Sequence, residues 1–248
     1  MEFVQFENTD NVLDSVKPTR LIQRMLQIAT SPEEDDLILD FFAGSAATGH
    51  AVLKQNREDG GNRRFVMVQL PEPLPAPEKK LKTIADIAKE RLRHVIEAMQ
   101  KGQGKLRDPK IREDLGFKVF KLAPSNYTPW DGSDEKDADR YTKQMRLHIE
   151  PLVRGWKLDN VIWEVAVKEG YSLASRIGKV PGLKMATIFQ VTDPEKGQSF
   201  RICLDDKIKL GDLKPLGLKK EELFICRDVA LDDEAAANLA LQCRLKTI

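Results

Sequence analysis

The stretch Leu37-Ile38-Leu39-Asp40-Phe41-Phe42-Ala43-Gly44-Ser45 decides the fold class. Leu37 to Phe42 is a continuous apolar run broken by one acid, the texture of a short strand buried on both faces. Ala43-Gly44-Ser45 is a turn, and Ala46 to Asn56 reads as a helix closed by Asp59-Gly60-Gly61-Asn62. Phe65 to Leu70 is a second buried strand, ended by Pro71-Glu72-Pro73. Strand, helix and strand within about 35 residues make a β-α-β unit, for which parallel strands and a right-handed crossover are expected.

Working outward, Lys17 to Thr30 reads as a helix with Pro18 in its first turn and an apolar stripe of Leu21, Ile22, Met25, Leu26 and Ala29. Ser31 to Asp36 is a polar break. Pro71 to Pro77 is a proline-rich loop. A long helix is expected from Glu78 to Lys101, with the stripe Leu81, Ile84, Ala88, Leu92, Val95 and Met99, ended by Gly102 and Gly104. Gly116 to Leu122 reads as a strand. Asn126 to Asp139 is rich in turn formers and acids and is the candidate linker. Beyond it, helices are expected over 139–149 and 158–169, a hairpin of strands Ala186–Thr192 and Ser199–Leu204, a short strand Leu223–Cys226, and a helix from Asp232 to Gln242 with acids at its positive end.

At 248 residues the chain can build one large or two small cores, and 41% hydrophobic residues place it among globular proteins. Lys+Arg 40 against Asp+Glu 39 leave no overall charge directed at a phosphate backbone, so any nucleic-acid contact needs a local patch. Cys203, Cys226 and Cys243 are widely spaced and without a Cys-x-x-Cys pair, which points to buried thiols in a reducing cytoplasm, with neither a zinc site nor a disulfide framework. No apolar run reaches the roughly 18 residues of a membrane span, and no basic start precedes an apolar stretch as in a signal peptide.

The chemistry concentrates where the first strand hands over to its helix. Open α/β sheets bind ligands at the carboxyl ends of strands, a small residue there lets backbone approach a ligand, and free helix N–H groups favour an anion. Alone, Asp40 to Ser45 is equally well a tight turn without a ligand. Glu72 follows the next strand about 30 residues on, where an acid can accept hydrogen bonds from ribose hydroxyls. Neither Gly-x-x-x-x-Gly-Lys nor Gly-x-Gly-x-x-Gly occurs, so a nucleoside cofactor without phosphates is preferred, of which S-adenosylmethionine is the common one.

Lys17-Pro18-x-x-Leu21-Ile22 followed by Leu39-Asp40-Phe41-Phe42-Ala43-Gly44-Ser45 resembles the adjacent cofactor motifs of permuted DNA amino-methyltransferases. The runs Glu58 to Glu72, Thr83 to Arg91, Gly116 to Leu122 and Asn238 to Lys246 resemble the modification subunits of type III restriction-modification systems, towards their C-terminal portion. The resemblance implies an α/β fold: a partial Rossmann-like S-adenosylmethionine-dependent methyltransferase sheet over residues 1–125, a linker over 126–139 and a smaller α+β domain over 140–248. It implies a bacterial enzyme transferring methyl from S-adenosylmethionine to adenine N6 of a flipped DNA base. Asp40, Phe41, Phe42, Ala43, Gly44 and Ser45 would wrap the methionine part, Lys17, Pro18 and Leu21 would line its carboxylate side, and Glu72 would hold the ribose. DNA, a restriction subunit and a second modification subunit are the implied partners, with no membrane.

Two departures stand out. The group often has Gly-Ser-Gly-Thr-Thr where this chain has Gly44-Ser45-Ala46-Ala47-Thr48. The catalytic Asp/Asn-Pro-Pro-Tyr/Phe motif is absent; Asn126-Tyr127-Thr128-Pro129-Trp130 lacks the Pro-Pro pair and reads as a loop anchored by aromatics. The isolated chain is therefore expected to be inactive and to expose a strand edge and apolar surface. His50 reads as structural or solvated, and His94 and His148 lack partners at metal-ligand spacing. Lys79, Lys80, Lys82, Lys89, Arg91 and Arg93 read as a solvated face among Glu78, Asp86, Glu90 and Glu97. The competing functions are a module for dimerisation or for docking a restriction subunit, and an unrelated nucleotide-binding enzyme sharing only the β-α-β unit.

Overall fold

A computed structural model of the chain describes residues 16–75, 79–102, 113–130, 138–183 and 185–248. The chain divides into two units, Met1–Phe120 and Lys121–Ile248. The parts of the sequence expectations that fall on 76–78, 103–112 and 131–137 lie outside the described residues.

In the first unit, helix α1 (Thr19–Ala29) starts directly after Pro18, whose φ of −64° already suits a helix start. Strand β1 (Leu37–Asp40), helix α2 (Ala47–Asp59) and strand β2 (Arg64–Met67) form the expected β-α-β unit. The strands are parallel, with Leu39 opposite Val66 and Asp40 opposite Met67. Ile38, Phe65 and Met67 face the helices, packing with Leu26, Ala51, Val52 and Leu92. At Gly49 the helix lies so close that an added Cβ would stand 2.7 Å from Met67 Sδ and 3.1 Å from Leu92 Cδ2.

Helix α3 (Ile84–Gln100) begins later than the sequence suggested. Thr83 Oγ1 accepts from Asp86 N at 3.2 Å, and the Asp86 carboxylate accepts from Thr83 N at 3.0 Å. This capping box sets the boundary, so residues 79–82 stay outside the helix. Burial disfavours the Asp86 charge, but bonds from Lys89, Thr83 and Lys82 N outweigh it and bring its pKa down to about 2.

Three expectations need correction. The strands are covered on one face only: Leu37, Leu39 and Val66, with Val68 and Leu70 beyond them, are exposed. In the α1 stripe Leu26 is buried, but Leu21 and Met25 are exposed. Residues 116–122 form no strand, because no strand lies beside them among the described residues. Leu115 and Phe117 pack instead on the α3 cluster. Just before them, Glu113 accepts two bonds of 2.6 Å from the Arg57 guanidinium on α2. The two-stranded sheet thus presents an uncovered apolar face and unpaired edges among the described residues, as the sequence led us to expect.

In the second unit, helices α4 (Ala138–Leu147) and α5 (Leu158–Lys168) precede strands β3 (Arg176–Lys179), β4 (Ile188–Asp193) and β5 (Gln198–Cys203). A short helix α6 (Leu210–Leu213), strand β6 (Leu223–Cys226), helix α7 (Asp233–Gln242) and strand β7 (Arg244–Thr247) follow. The sheet runs β3-β4-β5-β6-β7, antiparallel across β3-β4-β5 and parallel across β5-β6-β7. Apolar clusters cover both faces. Val161, Ile162 and Val165 of α5 meet Val191, Phe200, Ile202 and Ile225 on one. Leu213 and Leu239 of α6 and α7 meet Ile188, Phe224, Cys203, Cys226 and Cys243 on the other.

All three cysteines are buried and free, and burial pushes the Cys203 and Cys226 thiols up to about 12. Residues 126–128, placed by the sequence in the linker, are tied down: Thr128 N donates to Pro151 O at 2.7 Å and Val153 N to Asn126 O at 2.8 Å. Trp130 meets His148 and Tyr141 edge-on, with ring centroids 4.9 and 5.9 Å apart.

Candidate cofactor site

The first strand ends in a turn whose shape is set by its own side chains. Asp40 accepts from Phe42 N at 3.1 Å and from Thr48 Oγ1 at 2.6 Å, so one carboxylate grips both ends of the loop. Gln69, just past β2, accepts from Gly44 N at 2.7 Å, and Ala43 N donates to Val68 O at 3.1 Å. Gly44 (φ 52°) and Ala46 (φ 63°) are both left-handed. Ala46 is the one non-glycine residue with positive φ among the described residues. It stands where the related motif has its second glycine, so the departure costs strain of about 1–2 kcal/mol. The Ala46 methyl is buried in the cluster with Leu53, Ala88, Leu92 and Val95, which offsets part of that cost.

Helix α2 starts from this turn with no side-chain cap and no acid in its first turn, in contrast to the capping box of α3 and the Asp232 cap of α7. Its first N–H groups and dipole therefore remain available to an anion. Arg91, on α3, lies behind the turn. It donates to Ser45 Oγ at 2.8 Å and to Ser45 O at 3.4 Å, and its other terminal nitrogen is 3.5 Å from His50 Nδ1. Its side chain is 6% exposed, its Nε has no partner, and no carboxylate pairs with it among the described residues. Burial lowers the Arg91 pKa, and burial with the Arg91 and Lys54 charges lowers His50 to about 4, so His50 is neutral at ordinary pH.

The expected site residues fall into three groups. Asp40, Phe41, Phe42, Ala43, Gly44 and Ser45 form the turn itself. Ala43 and Ser45 are buried, whereas Phe41 and Phe42 stack at 4.9 Å and project outward, Phe42 being 83% exposed. Glu72 lies in the loop after β2; its carbonyl accepts from Ile84 N at 3.0 Å, fixing its backbone, and its exposed carboxylate has no partner among the described residues. Lys17, Pro18 and Leu21 stand at the exposed start of α1, which reaches the turn through its packing on α2.

Thr48, Gln69 and Arg91 were not singled out as site residues by the sequence, and Arg91 was placed on a solvated face. It sits four residues from both Ile87 and Val95 in the buried stripe of α3, the signal that marks it as inward-facing. Among the described residues no group of three His, Cys, Asp or Glu is arranged to hold a metal, and no described helix is long and apolar enough to cross a membrane.

Residues 5–97 match the DNA methylase family of N6/N4 methyltransferases, a span that contains the whole turn. The chain is 35% identical over 132 residues to the type III restriction-modification enzyme StyLTI Mod subunit of Salmonella typhimurium, covering 52% of this chain and 19% of that subunit. It is 33% identical over 114 residues to the EcoP15I Mod subunit of Escherichia coli, covering 44% of this chain and 15% of that subunit. It is also 35% identical over 88 residues to the type II methyltransferase M.KpnI of Klebsiella pneumoniae, covering 34% of this chain and 21% of that enzyme. These alignments span at most about a fifth of the relatives' length. The chain therefore belongs to the DNA methylase family, among the modification subunits of type III restriction-modification enzymes.

Proposed function

We propose that this chain carries the S-adenosylmethionine-binding half of a DNA adenine-N6 methyltransferase, corresponding to the C-terminal portion of a modification subunit. The observation that carries the reading is the turn from Asp40 to Thr48: left-handed at two positions, bound at both ends, and opening into an uncapped helix. The backbone at Gly44 and Ser45 would lie against the methionine part, with Phe41 and Phe42 offering apolar surface beside it. Lys17, Pro18 and Leu21 would line the carboxylate side. Glu72, whose carboxylate is free, would accept the ribose hydroxyls. When bound, S-adenosylmethionine supplies an electrophilic methyl group. This chain's part is to hold and orient it and to exclude water from the turn.

The chain has no Asp/Asn-Pro-Pro-Tyr/Phe motif, so the groups that orient the target amine would come from further polypeptide. Parallel sheets are covered on both faces, and a two-stranded sheet is not stable by itself. The uncovered face at Leu37, Leu39 and Val66 is where those further strands and their covering elements would pack. DNA, a restriction subunit and a second modification subunit would be partners of the completed enzyme, acting in the cytoplasm, and the isolated chain would be inactive.

The uncovered apolar face also supports the second reading, in which the chain serves as a dimerisation or docking module. Calorimetric titration with S-adenosylmethionine separates the two. Saturable binding at one site per chain, weakened by Glu72→Ala, supports the cofactor reading. A folded chain that gives no binding while self-associating supports the module.

A further inference from the structure

Arg91 is a cation where none is expected. It is 6% exposed in the apolar stripe of α3, and an isolated buried charge costs several kcal/mol unless it is compensated. The compensation present is partial: two bonds to Ser45, one long approach to a neutral His50, and an orphaned Nε. The other buried guanidiniums of the first unit are treated differently. Arg57 is paired with Glu113, and Arg63 with Asp59 at 3.0 Å. A residue needed only for packing could be a methionine or leucine at lower cost. The guanidinium is spent on Ser45, at the one helix start in this unit that combines a left-handed turn with the lack of any acid or side-chain cap. The Ser45 hydroxyl that accepts from Arg91 keeps its own proton to donate.

We propose that Arg91 is the positioning residue of this turn, and that its unneutralised charge, relayed through Ser45 and added to the α2 dipole, makes the turn select a ligand whose carboxylate lies at Gly44–Ser45. The inference rests on the cofactor reading above and sharpens it: the carboxylate of the methionine part, and not the nucleoside alone, is what this turn recognises. Arg91 acts from behind the backbone and touches no reacting atom.

The test is calorimetric titration of the full chain and of Arg91→Met and Arg91→Lys with two ligands, S-adenosylmethionine and its decarboxylated form, with melting temperature measured alongside. The parent should prefer the carboxylated ligand by about tenfold, the scale of one charge-assisted interaction. Arg91→Met should abolish that preference while its melting temperature stays level or rises, because an uncompensated buried charge has been removed. Arg91→Lys should retain part of the preference. Arg91→Met that keeps the preference, or that melts lower and loses affinity for both ligands equally, overturns the inference by making Arg91 structural. A parent that binds both ligands equally overturns this inference alone. A parent that binds neither overturns the cofactor reading and this inference with it.

Discussion

Removing the Asp40 carboxylate should unfasten the turn before it affects anything else. Asp40 accepts from Thr48 Oγ1 at 2.6 Å and from Phe42 N at 3.1 Å. A hydrogen bond to a charged group contributes about 1.5–3 kcal/mol net when buried and less where water competes. Asp40 and Thr48 are half-buried and Phe42 is exposed, so about 1.5 kcal/mol is assigned to the first bond and about 0.5 to the second. Asp40→Ala should therefore cost about 2 kcal/mol, near 8 °C in the melting of a unit of this size. Asp40→Asn keeps an acceptor and gains a donor, and should cost under about 1 kcal/mol. Thr48→Val should cost about 1.5 kcal/mol, and the double variant little more than Asp40→Ala, for a coupling of about 1 kcal/mol. Far-UV circular dichroism in urea reads the whole chain. Every Trp and Tyr lies between Tyr127 and Tyr171, so intrinsic fluorescence follows the second unit separately. A coupling under about 0.5 kcal/mol would refute the claim that this pair holds the turn.

Three further outcomes follow from the same structure. His50 takes up a proton at about 4 when folded and 6.5 in its ordinary state, so its contribution is intact above pH 6.5 and declines as pH falls towards 4. That amounts to about 2 kcal/mol by pH 5, and His50→Gln should flatten the denaturation profile over that window. At Ala46, Ala46→Gly should be neutral within about 1 kcal/mol, since relieving left-handed strain offsets the lost methyl and the freer unfolded chain. A loss of about 2 kcal/mol, as at an ordinary buried helical alanine, would contradict the left-handed turn. Burial opposes the charge on Glu164, but Ser125, Asn126 and Lys168 outweigh it and hold its pKa at about 2. Stability of the second unit should therefore be lost as pH falls from 4.5 towards 2, and tryptophan fluorescence of Glu164→Gln should lack that acid limb.

The β-α-β unit was legible because both strands are apolar runs of strand length bounded by Gly, Pro and Asp, signals that act locally. What escaped depended on neighbours. Residues 116–122 have strand texture, but a strand exists only beside a partner. Arg176–Lys179 and Arg244–Thr247 went unread because they are the edge strands β3 and β7, which carry the charges that edges tolerate and central strands do not. The start of α3 was written in Thr83-Ile84-Ala85-Asp86, a capping signature that outweighs the earlier residues. At the site, Asp40 to Ser45 could be found from the turn's composition. Gln69 and Thr48 could not, because their roles come from side chains meeting across the strand ends. Arg91 was misplaced by counting charges along α3 without phasing them against Ile87 and Val95.

The central claim is that the turn from Asp40 to Thr48 receives S-adenosylmethionine, and location tests it more directly than affinity. Titrating the ¹⁵N-labelled chain with S-adenosylmethionine and following the backbone amides by NMR should move Gly44, Ser45, Ala47 and Thr48 first, together with Glu72. Amide shifts confined to residues beyond Phe120, or none at all from a folded chain at saturating ligand, would contradict the account.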